Sequence, residues 1–199
     1  YVEGDNSTAD YVNGGGHGTK VAGAILYPKG ISKVESSYKL PCFIRNLRVL
    51  DKDNHLQHKY PASLMDVIVD ENADCKIFNL SVTSNAQCRK KHMSSWAAII
   101  DKLTFENDIL FLISVGNIGF HDIQSFIKDG KEYPEYLDEM FCHIANPSQS
   151  LFGLSVGSMN ISAFEDENWI SLGDDNDISA FSRIGTGIWD TIKPDVVEY

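Results

Sequence analysis

Residues 75–117 read CKIFNLSVTSNAQCRKKHMSSWAAIIDKLTFENDILFLISVGN, and this stretch decides the fold. CKIFNLSV (75–82) and ILFLISVGN (109–117) are short apolar runs of strand length. Between them SSWAAIIDKLTFEN (94–107) has helical spacing, with Ser94 placed to cap its first turn. Strand, helix, strand within some forty residues is a crossover unit, the connection that parallel neighbours require. Neither strand alternates apolar with polar residues, the pattern expected where helices cover both faces of a sheet.

The alternation continues on either side. ASLMDVIVDEN (62–72) places Leu64, Met65, Ile68 and Val69 on one helical face, and LFGLSVGS (151–158) adds a further strand. Upstream, CFIRNLRVL (42–50) reads as a strand, and TKVAGAIL reads as a helix opening near Gly18 and ending at the Pro28–Gly30 break. Residues 1–16 read as loop, and the acidic FEDENWISLGDDNDIS (164–179) as a solvated surface insertion. The expected architecture is a doubly wound α/β domain with a mostly parallel sheet and helices on both faces.

Composition narrows the function. A net charge of −11 argues against a nucleic-acid surface, which needs an excess of Lys and Arg. The longest apolar run, ILFLISV (109–115), is too short to span a bilayer, so no membrane segment is expected. Among the four cysteines no Cys-x-x-Cys pair occurs, so no zinc site is expected, and Cys42 and Cys75 read as small buried hydrophobes. The carboxylates of 164–179 lack the EF-hand spacing, so structural calcium is possible but not indicated. Asn6, Asn79 and Asn160 match the glycosylation sequon weakly, and Asn79 would be excluded by a buried strand position. The chain opens on Tyr1 without Met and stops at IKPDVVEY, so both ends read as cuts through a longer polypeptide, leaving localisation unknown.

Chemistry concentrates in GGGHGTKVAG (14–23). A phosphate cradle is ruled out, because Gly18-Thr19-Lys20 has the wrong order for a P-loop and no apolar strand precedes the glycines. GLSVG (153–157) satisfies the nucleophile-elbow pattern on paper, but no histidine follows Ser155, so Ser155 reads as an ordinary strand residue. The remaining reading makes His17 a general base. A histidine opening a helix sits at the positive end of the dipole, which favours the neutral ring that accepts a proton. Flanking glycines permit close approach, and Ala22 and Gly23 would let the helix pack tightly on a sheet.

HGTKVAG (17–23) resembles the histidine motif of the subtilisin-like serine proteases, with Lys20 where a second histidine is usual. Three further segments resemble the family in its own order: KIFNLSV (76–82), FLISVGNIG (111–119) and ISAFSRIGTGIWDTIKPDVVEY (178–199). The resemblance implies a subtilisin-like serine endopeptidase acting on polypeptides, with no cofactor required. It implies His17 as general base and Asn117 as oxyanion donor. It also implies a substrate strand lying along Ser81, Val82 and Thr83, where Val82-Thr83 replaces the usual Leu-Gly. The family's triad runs Asp, His, Ser. No residue before His17 has the setting of that aspartate, Asp5 and Asp10 included. No serine has the setting of the nucleophile, Ser158 in VGSM included. Residues 1–199 are therefore expected to form part of one peptidase domain that lacks both catalytic segments, incomplete at both ends and inactive alone. The alternative is a catalytically inactive peptide-binding or interaction domain with the same fold.

Overall fold

The computed structural model describes residues 1–2, 4–5, 7–12, 15–27, 42–53, 55–56 and 58–199. They form two compact units, Tyr1–Lys59 and Tyr60–Tyr199.

In the first unit, α1 (His17–Leu26) starts one residue before the expected Gly18. Its N-cap is Gly16, which has no side chain to satisfy the first-turn amides. Asp10 instead ties the entry loop to the helix, accepting from the Gly16 and Val12 amides at 2.6 and 3.0 Å and from Thr19 Oγ1 at 2.5 Å. The Thr19 bond, then the two amides, hold its carboxyl below the usual carboxylate range. Around Arg48 a second knot forms. It pairs with Asp5 at 3.0 Å, donates to Ser7 O at 2.8 Å and lies over the Tyr11 ring.

Three expectations fail in this unit. Residues 42–50 join no β-ladder among the described residues, because apolar composition makes a strand only where a neighbouring backbone completes its hydrogen bonds. Cys42 is exposed for the same reason. A side chain at Gly23 would meet no described atom within 4 Å, so the small residue does not mark a close helix contact there. The expected break at Pro28–Gly30 and the sequon at Asn6 lie outside the described residues.

The second unit is built on a four-stranded parallel sheet in the order β1-β2-β3-β6. These strands are β1 (Ile77–Leu80), β2 (Leu110–Ser114), β3 (Leu154–Ser158) and β6 (Val196–Glu198). The last was not anticipated. Helices α2 (Pro61–Glu71) and α3 (Ser95–Asn107) pack on each other, and α3 packs on β2. As expected, α2 buries Leu64, Met65, Ile68 and Val69, and the Ser94 side chain accepts from the Ala97 amide at 3.0 Å. Burial along the sheet is one-sided. Phe111, Ile113 and Ser155 are enclosed, and Phe78 stacks on Phe111, whereas Ile77, Asn79 and Leu110 of the opposite face are exposed. Asn79 is thus not buried, contrary to expectation, and Cys75, before the edge strand, is only half-buried.

After β2 the chain forms α4 (Phe120–Lys128), also unanticipated, whose Ile123 joins Ile118, Tyr136, Leu137 and Cys142 in a second core. Burial pushes the Tyr136 hydroxyl up to about 12, and it donates to Ala180 O at 2.6 Å. The acidic insertion is exposed over 164–170 and 174–177, while Leu172 and Ile178 pack on the second core and Ser179 is buried; its carboxylates cap its own turns. Asp166 accepts from the Asn168 and Trp169 amides, and Asp177 accepts from that of Asp174.

Ser155 is fully buried on β3, as expected of a strand residue, and its amide and hydroxyl both donate to Asp195 Oδ2 at 2.7 Å. The same oxygen receives Lys193 Nζ at 2.7 Å, from a side chain only 3% exposed. Burial alone would raise the Asp195 carboxyl, but Lys193 and Ser155 outweigh it and hold it below the ordinary range. β4 (Gly185–Thr186) and β5 (Ile192–Lys193) pair antiparallel, and the turn at their tip places Trp189 and Asp190 at φ 53° and 60°. Left-handed backbone at both central positions is the turn that ordinarily selects Asn-Gly.

Two outcomes are expected. Because the folded Asp195 carboxyl titrates below its unfolded value, its contribution is present above about pH 4 and is lost as pH falls through the folded value. Asp195→Ala should cost on the order of 3 kcal/mol by denaturant melting at pH 7, since it leaves a buried ammonium unpaired, and should flatten the acid limb. Conversely, Trp189→Asn with Asp190→Gly should raise stability by about 1 kcal/mol in the same assay.

Candidate active site

In a parallel sheet every strand leaves by the same rim, and the loops after the strands meet there. Ser81–Thr83 continue directly from β1, and Gly116-Asn117 lie just beyond β2. The ladder pairs Ile77 with Leu110 and Leu80 with Ile113; carried on three residues, that offset sets Thr83 beside Gly116. Contact is made: a Cβ on Gly116 would stand 3.2 Å from Thr83 Oγ1. The structure therefore brings Gly116, the residue before Asn117, against Thr83 at the end of the Ser81–Thr83 edge. His17 lies in the other unit, at the first position of α1, where it is exposed.

The turn carrying Asn117 is tightly specified. Gly116 adopts φ 89°, and a Cβ there would come within 2.8 Å of the Ala145 Cβ, so both conformation and space call for glycine. The Gly116 amide donates to Ser114 Oγ at 3.1 Å. Residues 181–183 bind the turn from outside: Ile118 N donates to Phe181 O at 2.7 Å, and Arg183 N donates to Gly116 O at 3.2 Å. Asn117 itself is exposed, and its side-chain amide makes no hydrogen bond to another described residue. It is a donor held at a fixed place with its own hydrogens unspent.

Arg183, which the sequence reading did not single out, organises this turn. Its guanidinium donates to Asn117 O at 3.1 Å, to Phe141 O at 2.5 Å and to His143 O at 3.0 Å, and lies 5.2 Å from the Phe141 ring centroid. The residue is only 4% exposed and forms no ion pair among the described residues. Burial lowers its proton affinity from the usual value. Carbonyl oxygens and an aromatic face are the groups that compensate a buried cation when no carboxylate does. Its signal in the sequence was a charge inside AFSRIG, between residues with little reason to be wet.

The Ser81–Thr83 edge has its own support. Ser84 N donates to Asn146 O at 2.8 Å and Cys88 N to Ile144 O at 2.8 Å, so the chain beyond Thr83 is tied to the segment that carries Ala145. The Ser94 hydroxyl, besides capping α3, donates to the Asn146 side chain. Burial pushes the Cys88 thiol up to about 11, which disfavours its thiolate. Among the described residues no three His, Cys, Asp or Glu stand together as a metal site, and no helix is long and apolar enough to cross a membrane.

Arg183→Met should keep the aliphatic stem and orphan three carbonyls. A loss of about 2–4 kcal/mol in chemical denaturation is expected, with Arg183→Lys intermediate because one ammonium cannot span all three acceptors.

Comparison with known proteins gives the family. The chain is 26% identical over 147 residues to an uncharacterized protein, y4bN, of Sinorhizobium fredii (strain NBRC 101917 / NGR234), covering 69% of this chain and 34% of that protein. The chain thus spans about a third of the length of this relative. The subtilase family, peptidase family S8, matches residues 2–199, almost every position. With its parallel sheet and its asparagine turn at the carboxyl rim, the chain belongs to the subtilase family.

Proposed function

We propose that this chain supplies the general base and the oxyanion donor of a serine-type endopeptidase, His17 and Asn117, with the nucleophile and the orienting carboxylate outside residues 1–199. The observation that carries the reading is the Asn117 turn: an exposed, uncommitted amide, braced by Arg183, level with an extended edge at Ser81–Thr83. Amide hydrolysis places negative charge on the former carbonyl oxygen. A fixed neutral donor stabilises that charge without binding the ground state as strongly as a cation would. His17, opening a helix whose entry loop is tied down by Asp10, is suited to take the proton from an attacking hydroxyl and return it to the leaving amine. A polypeptide substrate would lie along Ser81-Val82-Thr83 as an added strand, held by main-chain hydrogen bonds. The chemistry calls for no cofactor.

In the full-length protein a fluorophosphonate probe should label a serine outside residues 1–199, and His17→Ala should abolish the labelling. Asn117→Ala should lower kcat by about 10²–10³-fold with little change in KM, the scale known for this donor in subtilisin, the family's type enzyme. Unchanged turnover in Asn117→Ala would remove the oxyanion assignment, and labelling that survives His17→Ala would remove the base.

A further inference from the structure

Resting on that reading, we propose that Arg183 is a positioning residue for the reaction. Its side chain fixes the peptide plane from which the Asn117 side chain projects, and so governs kcat without touching substrate.

The Asn117 side chain stands between two peptide groups, and residues 181–183 hold both. Before it, the Gly116 carbonyl accepts from the Arg183 amide at 3.2 Å. After it, Asn117 O accepts from Arg183 Nε at 3.1 Å while Ile118 N donates to Phe181 O at 2.7 Å, so that plane is gripped at both ends. Without the guanidinium the second plane keeps one bond, about which it can turn. The Asn117 side chain makes no hydrogen bond to another described residue that would hold it in place, so it swings with the plane. A displacement of about 1 Å in a catalytic group costs on the order of 10²-fold in rate.

The guanidinium is itself anchored. Phe141 O and His143 O accept from it at 2.5 and 3.0 Å, and the segment that carries them is fastened to its surroundings. Ile144 N donates to Ile184 O at 3.0 Å, and Ala145 N to Val115 O at 2.9 Å. At 4% exposure, water has little access to replace any of these bonds. Reaching carbonyls of residues 117, 141 and 143 at once takes the rigid fork of arginine; the single ammonium of lysine cannot span them. No hydrogen bond runs from this side chain to Ser81–Thr83, whose continuation is tied separately through Ser84 N and Asn146 O. Substrate affinity along the edge is therefore independent of Arg183, whereas the placing of the oxyanion donor is not.

The test is a double-mutant cycle on peptide cleavage by the full-length protein. Arg183→Met should lower kcat by about 10²-fold and Arg183→Lys by about tenfold, each with KM within about twofold. Once Asn117→Ala has removed the amide, either Arg183 substitution should lower kcat by less than about twofold more. A purely structural role would cost the same factor in both backgrounds. Arg183→Lys, which keeps a buried cation, carries the cycle if Arg183→Met does not fold. Equal losses in the two backgrounds, a raised KM at unchanged kcat, or a kcat unmoved by either substitution overturns this inference. The protease reading then stands, provided that His17→Ala and Asn117→Ala still abolish or lower turnover. Unchanged turnover in Asn117→Ala, or no His17-dependent cleavage at all, overturns the inference together with the reading on which it rests.

Discussion

The constraint on which the second unit depends is that β1, β2, β3 and β6 all run the same way. Parallel pairing sends every strand out of the sheet at one rim, so residues thirty or more positions apart in the chain leave it side by side. A fixed offset between β1 and β2 brings Thr83 against Gly116, and the turn that begins at Gly116 holds Asn117 clear of the sheet. Had these strands alternated in direction, the edge and the amide would have emerged at opposite ends. The chemistry open to this molecule is thus a consequence of its crossover helices, α3 above all.

Two buried cations illustrate how differently a low-dielectric interior can be made tolerable. Lys193 meets a carboxylate, Asp195, which also takes both hydrogen bonds of Ser155 and so ties β3 to the chain entering β6. Arg183 has no such partner among the described residues and spreads its charge over three carbonyls and an aromatic ring. The first arrangement depends on pH through its carboxylate; the second does not, because neither carbonyls nor rings titrate. With Arg183 bonded to the Asn117 carbonyl, the turn is braced by groups that do not titrate near neutral pH.

Much of this was legible in the sequence where the physics is local. Helical spacing located α2, a serine before an apolar run located the cap of α3, and the want of a later histidine correctly demoted Ser155. The family was legible through the order of its segments along the chain. What escaped was decided by distant partners. Residues 42–50 have the composition of a strand but no described neighbour to pair with, and Arg183 matters only because three carbonyls from two other segments converge on it. β6 is three residues long and pairs with β3 some forty positions earlier, beyond the reach of periodicity. α4 is short, and its Ile123 is buried by residues that come later in the chain.

β1 is an edge strand of its sheet. On its outer side it pairs with no other described strand, and Ile77 at its start is 65% exposed. A row of unspent amides and carbonyls beside an apolar side chain does not distinguish one extended polypeptide from another, since backbone is common to all of them. Such an edge can nucleate stacking between molecules of this chain. Lys76, immediately before the strand, anchors instead to the Asn107 and Asp108 carbonyls at 3.0 and 3.2 Å, on the side of β1 that faces β2.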